Sequence, residues 1–332
     1  MTELRFWQRH PNLVHLLVFV AVAGTLPLWV KSPYLLSTAI FIGISTILTL
    51  GLCLLMGYAG QISLGHAAFY GIGAYTSAVL ATKYAVSPWL AMGIGVIVTG
   101  SVAYLIGSVI FNLKEHYLAV ATLGLGIIVF LAFGEMGDLT GGSSGLTGVP
   151  RLALGGFVFD QDVKYFYLVW GVVAVFLALS LNVVNSRVGR ALRAIRASEP
   201  AADSVGINAS RYKLQVLVLS VAFASVAGSL YVHYMRFVSP QPFGFSASVE
   251  LLVMAAVGGL TSVWGAIFGA AVVTLLTVGL REALPLVIHN ASGEHTVIVY
   301  GIILVVIMIF LPEGLTSGLL KTIRWPSFKS KT

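Results

Sequence analysis

Few side chains in this sequence can do chemistry, and they gather in two kinds of place. The first is the stretch SRVGRALRAIRASEPAADSVGIN, from Ser186 to Asn208, with arginines at 187, 190, 193 and 196. The second is a pair of glycine-rich interruptions in apolar sequence, GYAGQISLG (57–65) and VGGLTSVWG (257–265). These place Gln61, Ser63, His66, Thr261 and Ser262 beside Gly57, Gly60, Gly65, Gly258 and Gly259. Hydroxyl, amide and imidazole groups next to open backbone can hydrogen-bond a passing polar solute. They do not make a catalytic set: the sequence has no HExxH and a single cysteine, Cys53. His66 has no partner ligand at helical spacing, so it reads as a packed or pore-lining donor, and no metal site is expected. No Gly-Lys dipeptide occurs anywhere, which excludes a P-loop; the chain is expected to bind no cofactor of its own.

The elements that position these groups are membrane helices. Of 332 residues only 9% are charged and 58% are hydrophobic, where soluble domains carry about 25% charged residues. Runs without Asp, Glu, Lys or Arg cover 32–82, 84–113, 116–134, 165–186, 214–235, 251–280 and 295–312. A bilayer core takes roughly 20 apolar residues per helix, so the chain is all-α, a polytopic integral membrane bundle in one domain, 1–332. Spans are expected near 12–30, 34–56, 61–82, 88–112, 117–134, 165–184, 214–234 and 296–312. Ser32-Pro33 and Ser87-Pro88 predict helix starts, a capping hydroxyl followed by proline. The segment 249–280 is too long for one span and short for two, and its glycines predict a re-entrant or broken hairpin. Counted as two passes, it brings the total to about ten. Residues 1–24 imitate a signal peptide, but a retained first span is expected.

Charge sets the orientation. With the N-terminus inside, the cytoplasmic segments hold Arg5, Arg9, Lys114, the basic residues of 187–213, Lys321, Arg324, Lys329 and Lys331. Only Lys31, Lys83, Arg151, Lys164, Arg236 and Arg281 fall outside, so N-in and C-in is favoured. The net charge of +7 is thus explained by membrane topology and lipid headgroups, without nucleic acid. The loop 135–164, with four acids, belongs to the outer face, and its EMGDLTGGSSGLTGVP stretch is too rich in glycine for a helix. His233 is expected at the outer interface with Tyr231 and Tyr234 as belt aromatics. Glu250 and Glu282 bracket the 249–280 hairpin; they mark where it meets water, or they couple protons.

Within 185–213 the grammar is that of two short helices. Val188, Ala191, Leu192 and Ile195 share one face at i, i+3, i+4, i+7, with Arg187 and Arg196 flanking it and Arg190 and Arg193 opposite. Ser198 can cap a second helix, with Glu199 and Pro200 in its first turn. Ala201 and Ala202 keep it slim, and Gly206 suits its C-cap. Anionic lipid accounts for the arginines; docking into a groove on a cytoplasmic partner accounts for the slim helix as well. The two interruptions carry a similar pair of readings, as substrate-site breaks in two transporter halves or as small-residue helix packing.

These residues carry a resemblance. E199-P-A-A-D-S-V-G206 resembles the Glu-Ala-Ala…Gly coupling loop of ABC-importer permeases, departing from it in that Pro200 separates Glu199 from Ala201. LLMGYAGQISLGHAAFYGIGAYTSA (54–78), YLAVATLGLG (117–126), LTGGSSGLTGVP (139–150), VELLVMAAVGGLTSVWGAIFGA (249–270) and PEGL (312–315) follow in the order found in LivM-type permease subunits of branched-chain amino-acid importers. The resemblance implies a bacterial inner-membrane subunit paired with a LivH-type permease, two ABC ATPases that hold ATP and Mg, and a periplasmic binding protein. It implies that Arg190, Arg193, Arg196, Ser198, Glu199, Ala201, Ala202 and Gly206 form the ATPase-coupling loop. The outer loop would receive the binding protein, gate the outer mouth, or simply connect. Urea and short-amide permeases share much of the pattern, and an ATP-independent secondary transporter is the rival class. Intramembrane charges are sparse for the latter. Gly57, Gly60, Gln61, Ser63, Gly65, His66, Gly258, Gly259, Thr261 and Ser262 are the expected translocation-pathway residues.

Overall fold

The computed structural model describes residues 11–30, 32–111, 117–287 and Gly301. The expected span 296–312, the PEGL motif and the terminal basic residues lie outside them, Gly301 apart. Helices are α1 (Pro11–Trp29), α2 (Pro33–Leu52), α3 (His66–Lys83), α4 (Pro88–Ile110), α5 (Tyr117–Glu135) and the single turn α6 (Gly137–Thr140). There follow α7 (Asp162–Asn185), α8 (Arg187–Ala197), α9 (Glu199–Ser204), α10 (Ala209–Met235), α11 (Phe245–Gly258) and α12 (Gly265–Val287). Six helical stretches among the described residues are long and apolar enough to cross a membrane, and two shorter apolar helices, His15–Trp29 and Phe245–Gly258, accompany them. The chain is therefore an all-helical, polytopic membrane bundle.

Proline opens α2 and α4 at the first helical position, as the sequence predicts, because its missing N–H has no intrahelical partner there. The hydroxyls of Ser32 and Ser87 do not cap, however; the backbone alone starts these helices. α2 continues past Leu52 as one π-helical turn, Cys53–Tyr58, before the chain reverses into α3. Cys53 is buried there as a small hydrophobe.

The centre of the bundle is α10, packed on α3, α4 and α2. Lipid offers no hydrophobic drive for helices to associate, so close packing and small side chains must supply it. At the α3–α10 crossing a Cβ on Gly228 would stand 2.2 Å from the Tyr70 carbonyl oxygen, and Ser225 sits against Gly73. Phe176 of α7 stacks on Phe223 of α10 at 4.2 Å.

The bundle has two chemically different ends. At one, the short strands β1 (Leu146–Thr147) and β4 (Phe237–Val238) pair antiparallel, with Leu146 opposite Val238, and β2 (Ala153–Leu154) pairs with β3 (Phe157–Val158). Glycines do not keep this segment free of helix: Gly137–Thr140 makes one α-turn and Gly142–Ser144 a 3-10 turn. Lys83 donates to the Asp138 carbonyl, Trp89 Nε1 to Ala153 at 2.7 Å, and Val149 N–H to Arg236 at 3.3 Å. The loop is thus an ordered cover. Beneath it His233 is buried, not interfacial. Its Nδ1 lies 2.7 Å from the Pro150 carbonyl, which can only accept, so Nε2 accepts from the Ser77 hydroxyl at 2.9 Å. Tyr231 and Tyr234 are half-buried and pack against Phe41 at the edge of the core. At the same end the Asp160 carboxyl is held below its usual range, chiefly by the hydrogen bond from Lys164.

Candidate functional site

The opposite end holds the arginine segment. α8 buries Gly189, Ala191, Leu192 and Ile195, the face its periodicity predicts. Ser186 caps it by accepting from Val188 N–H at 3.1 Å. α9 begins with Ser198 accepting from Ala201 N–H at 3.4 Å. It ends in a Schellman motif: Ile207 N–H reaches the Ala202 carbonyl at 3.1 Å and Gly206 N–H the Asp203 carbonyl at 3.0 Å. This closure needs a left-handed residue, and Gly206 supplies it with φ of +85°.

The two short helices are bound to the bundle. Ile195, Ala202 and Ala209 form a small buried cluster with Ile207 and Tyr212 around it. Glu199 pairs with Lys213 of α10, whose side chain is only 4% exposed. Asp203 Oδ1 accepts from Ala209 N–H at 3.3 Å, at the start of α10. α9 is therefore tied to the start of α10. Ala202 faces inward, whereas Pro200, Ala201, Ser204 and Val205 are exposed, Val205 to 73%. The outward face carries only small side chains, apolar at Pro200, Ala201 and Val205 and polar at Asp203 and Ser204.

All four arginines are exposed, but two also reach back into the fold. Arg193 donates to the Val184 carbonyl at 3.0 Å, back into the end of α7. Arg196 donates to the carbonyl of Gly57, the glycine that opens the first interruption. Arg190 is exposed. Sequence periodicity had placed Arg196 only at the rim of the buried face; its target, 139 residues away in the chain, comes from the fold alone.

The two interruptions meet each other. A Cβ on Gly57 would stand 1.7 Å from the Leu260 carbonyl oxygen, so only glycine permits this backbone contact. Tyr58 Oη donates to the Thr261 carbonyl at 2.7 Å. Gly60, at φ +70°, lies against the Arg196 side chain. The second interruption is the tight turn of a helical hairpin, α11 to α12, in which Gly258 abuts Gly265. Gly259 takes φ of +102° and Ser262 Oγ accepts from Gly265 N–H at 3.2 Å.

The rest of the first interruption turns into the bundle. Gln61 is buried and donates to the Ala59 carbonyl at 3.2 Å. Gly65 lies on the Thr122 carbonyl of α5, and Leu64 N–H donates to Thr122 Oγ1 at 3.1 Å. Ser63 and His66 are wholly buried; the Ser63 hydroxyl and both His66 ring nitrogens have no hydrogen-bond partner among the described residues. No group of three metal-ligating side chains occurs among the described residues.

A cavity of about 450 Å³ lies elsewhere, between α2, α3, α10, α11 and α12 and under Gln241 and Pro242. None of the sequence-predicted pathway residues lines it. Its lining includes Glu250 and Arg281, the first of which sequence reasoning treated as a boundary marker. Met254 and Leu48 lie toward the arginine end of the lining, and beyond them Leu52, Leu55 and Val257 are buried.

A multi-helix membrane bundle with a slim, outward-facing cytoplasmic-type helix clamped to its central span is the build of a transporter permease subunit. Residues 34–308 match the family model for the branched-chain amino acid transport system permease component, and the chain belongs to that family. It is 32% identical over 292 residues to the high-affinity branched-chain amino acid transport system permease protein LivM of Salmonella typhimurium, covering 81% of this chain and 67% of that one. It is 32% identical over 295 residues to LivM of Escherichia coli and 26% identical over 289 to LivH of Escherichia coli, the latter covering 90% of LivH. Among solved structures, PsaBC from Streptococcus pneumoniae in complex with Fab aligns over 84% of this chain and 92% of that one, with 19% identity and a TM-score of 0.46.

Proposed function

We propose that this chain is the permease subunit of an ATP-driven importer for branched-chain amino acids, working beside a LivH-type permease. Two cytoplasmic ATPases and a periplasmic binding protein complete the assembly. The family and its LivM and LivH relatives support the transport class. The arginine end faces the cytoplasm, because the basic residues concentrate there, and the strand end faces the periplasm. Counting α3 and the span expected at 296–312 with the apolar helices, this reading gives ten passes.

The observation that carries the mechanism is the unbroken set of contacts from α9 to both interruptions. ATPase closure pushes on Ala201 and Val205. Glu199–Lys213 and the Ala202 cluster pass the motion to α10. Arg196 passes it to Gly57, and Gly57 and Tyr58 pass it to the α11–α12 turn. In this reading the paired interruptions are the inner closure of the translocation pathway, where parting Gly57 from Leu260 opens a route lined by Gln61, Ser63, Thr261 and Ser262.

The test is reconstitution of the whole assembly in proteoliposomes with leucine or urea as substrate. Leucine is expected to stimulate ATP hydrolysis and to accumulate inside. Stimulation by urea alone would overturn the substrate assignment, and leucine uptake independent of the ATPases would overturn the class.

A further inference from the structure

The cavity beside α11 and α12 combines features that no structural role requires. The apolar part of its lining comprises Ile44, Leu48, Leu251, Met254 and Val278 with the rings of Phe41, Tyr70 and Tyr231. Into this setting the fold brings one acid, Glu250, and one base, Arg281, from the two arms of the hairpin. Glu250 is half-buried, where a charge is costly unless it is compensated, whereas Arg281 is exposed. Yet among the described residues neither Glu250 nor Arg281 is ion-paired. Opposite charges that share a cavity without meeting leave room for a ligand that carries both.

The remaining polar groups agree. Thr274 Oγ1 is buried with no hydrogen-bond partner. Thr277 and Thr38 spend their protons on the Val273 and Tyr34 carbonyls, at 2.9 Å each, and keep oxygen lone pairs. The volume of about 450 Å³ falls within the range of small-molecule sites, roughly 300–1,000 Å³. A guanidinium binds a carboxylate through two parallel hydrogen bonds, and a carboxylate holds an ammonium group.

We infer that this cavity binds a zwitterionic α-amino acid: Arg281 takes its carboxylate, Glu250 its ammonium, and the side chain lies on Leu48, Leu251 and Met254. The inference rests on the reading of the chain as an amino-acid permease subunit and adds the site and its polarity. An aliphatic side chain fits the apolar floor. A neutral amide such as urea has no charge for either Glu250 or Arg281.

The experiment measures leucine and urea uptake by the complete transporter, with each variant's membrane abundance and copurification with its partners determined in parallel. E250Q and R281Q are each expected to lower leucine uptake at least tenfold with assembly unchanged, and E250D and R281K to recover part of it. Ser45→Leu, which fills the cavity without touching either charge, is expected to raise the leucine KM by a similar factor. Wild-type leucine uptake in assembled E250Q and R281Q would overturn the site while leaving the permease reading intact. Should either glutamine variant fail to assemble, wild-type KM in Ser45→Leu overturns it instead. A wild-type transporter that carries urea and no leucine removes the reading beneath it.

Discussion

At the residue scale, two glycines carry more constraint than any charged group. Gly57 is fixed by the Leu260 carbonyl 1.7 Å from where its Cβ would stand. Gly57→Ala must drive the two interruptions apart, a cost of about 1–3 kcal/mol by analogy with overpacked cores. A lower Tm for the purified complex, together with leaky or lost uptake, is the expected outcome; an unchanged Tm would show that the turn yields freely. Gly206→Ala places a side chain at φ +85°, where open space surrounds it, so only backbone strain of roughly 1–2 kcal/mol opposes it. That variant is expected to assemble with weakened ATPase retention, measurable by copurification.

Between α8 and α10 the account makes a sharper distinction. Ala202 is buried in the clamp while Ala201 and Val205 face outward. Val205→Asp is therefore expected to lower ATPase binding at least fivefold without altering the thermal stability of the membrane subunits. Ala202→Leu should lower both; equal behaviour of the two variants would mean that the helix is not oriented as described. Much of this element was legible in the sequence. Ser198 and Gly206 announce caps through their chemistry, and the spacing of Val188, Ala191, Leu192 and Ile195 announces the buried face, whereas the Ser186 cap emerges only from the structure. Most of the described membrane helices were legible too, from length and apolarity, although the helix in the expected span 61–82 is not apolar enough to stand among the six spanning stretches. What no local pattern could reveal was the partner of each element. Arg196 meets Gly57 and Tyr58 meets Thr261 only because α2, α8 and the hairpin converge on one end. Glu250 and Arg281, 31 positions apart, read as isolated charges until the two arms bring them to one cavity. His233 misled for the same reason: its satisfaction comes from Ser77 and Pro150, far away in sequence.

For the whole molecule, the account divides labour between the two ends. The strand end is held by loop contacts and lies over the cavity proposed to receive substrate. The arginine end joins α8 and α9 to the paired interruptions, the proposed inner closure of the path. Single cysteines replacing Ser143 and Ser204, in a background lacking Cys53, should be modified by a membrane-impermeant thiol reagent from opposite sides of the membrane. Labelling of both from one side would contradict the ten-pass arrangement. The central claim is that force reaches the interruptions through Arg196, and R196Q in proteoliposomes tests it most directly through the ratio of leucine transported to ATP hydrolysed. The account predicts intact assembly, retained ATP hydrolysis and a fall of at least fivefold in leucine moved per ATP. An R196Q assembly with the wild-type ratio would contradict it.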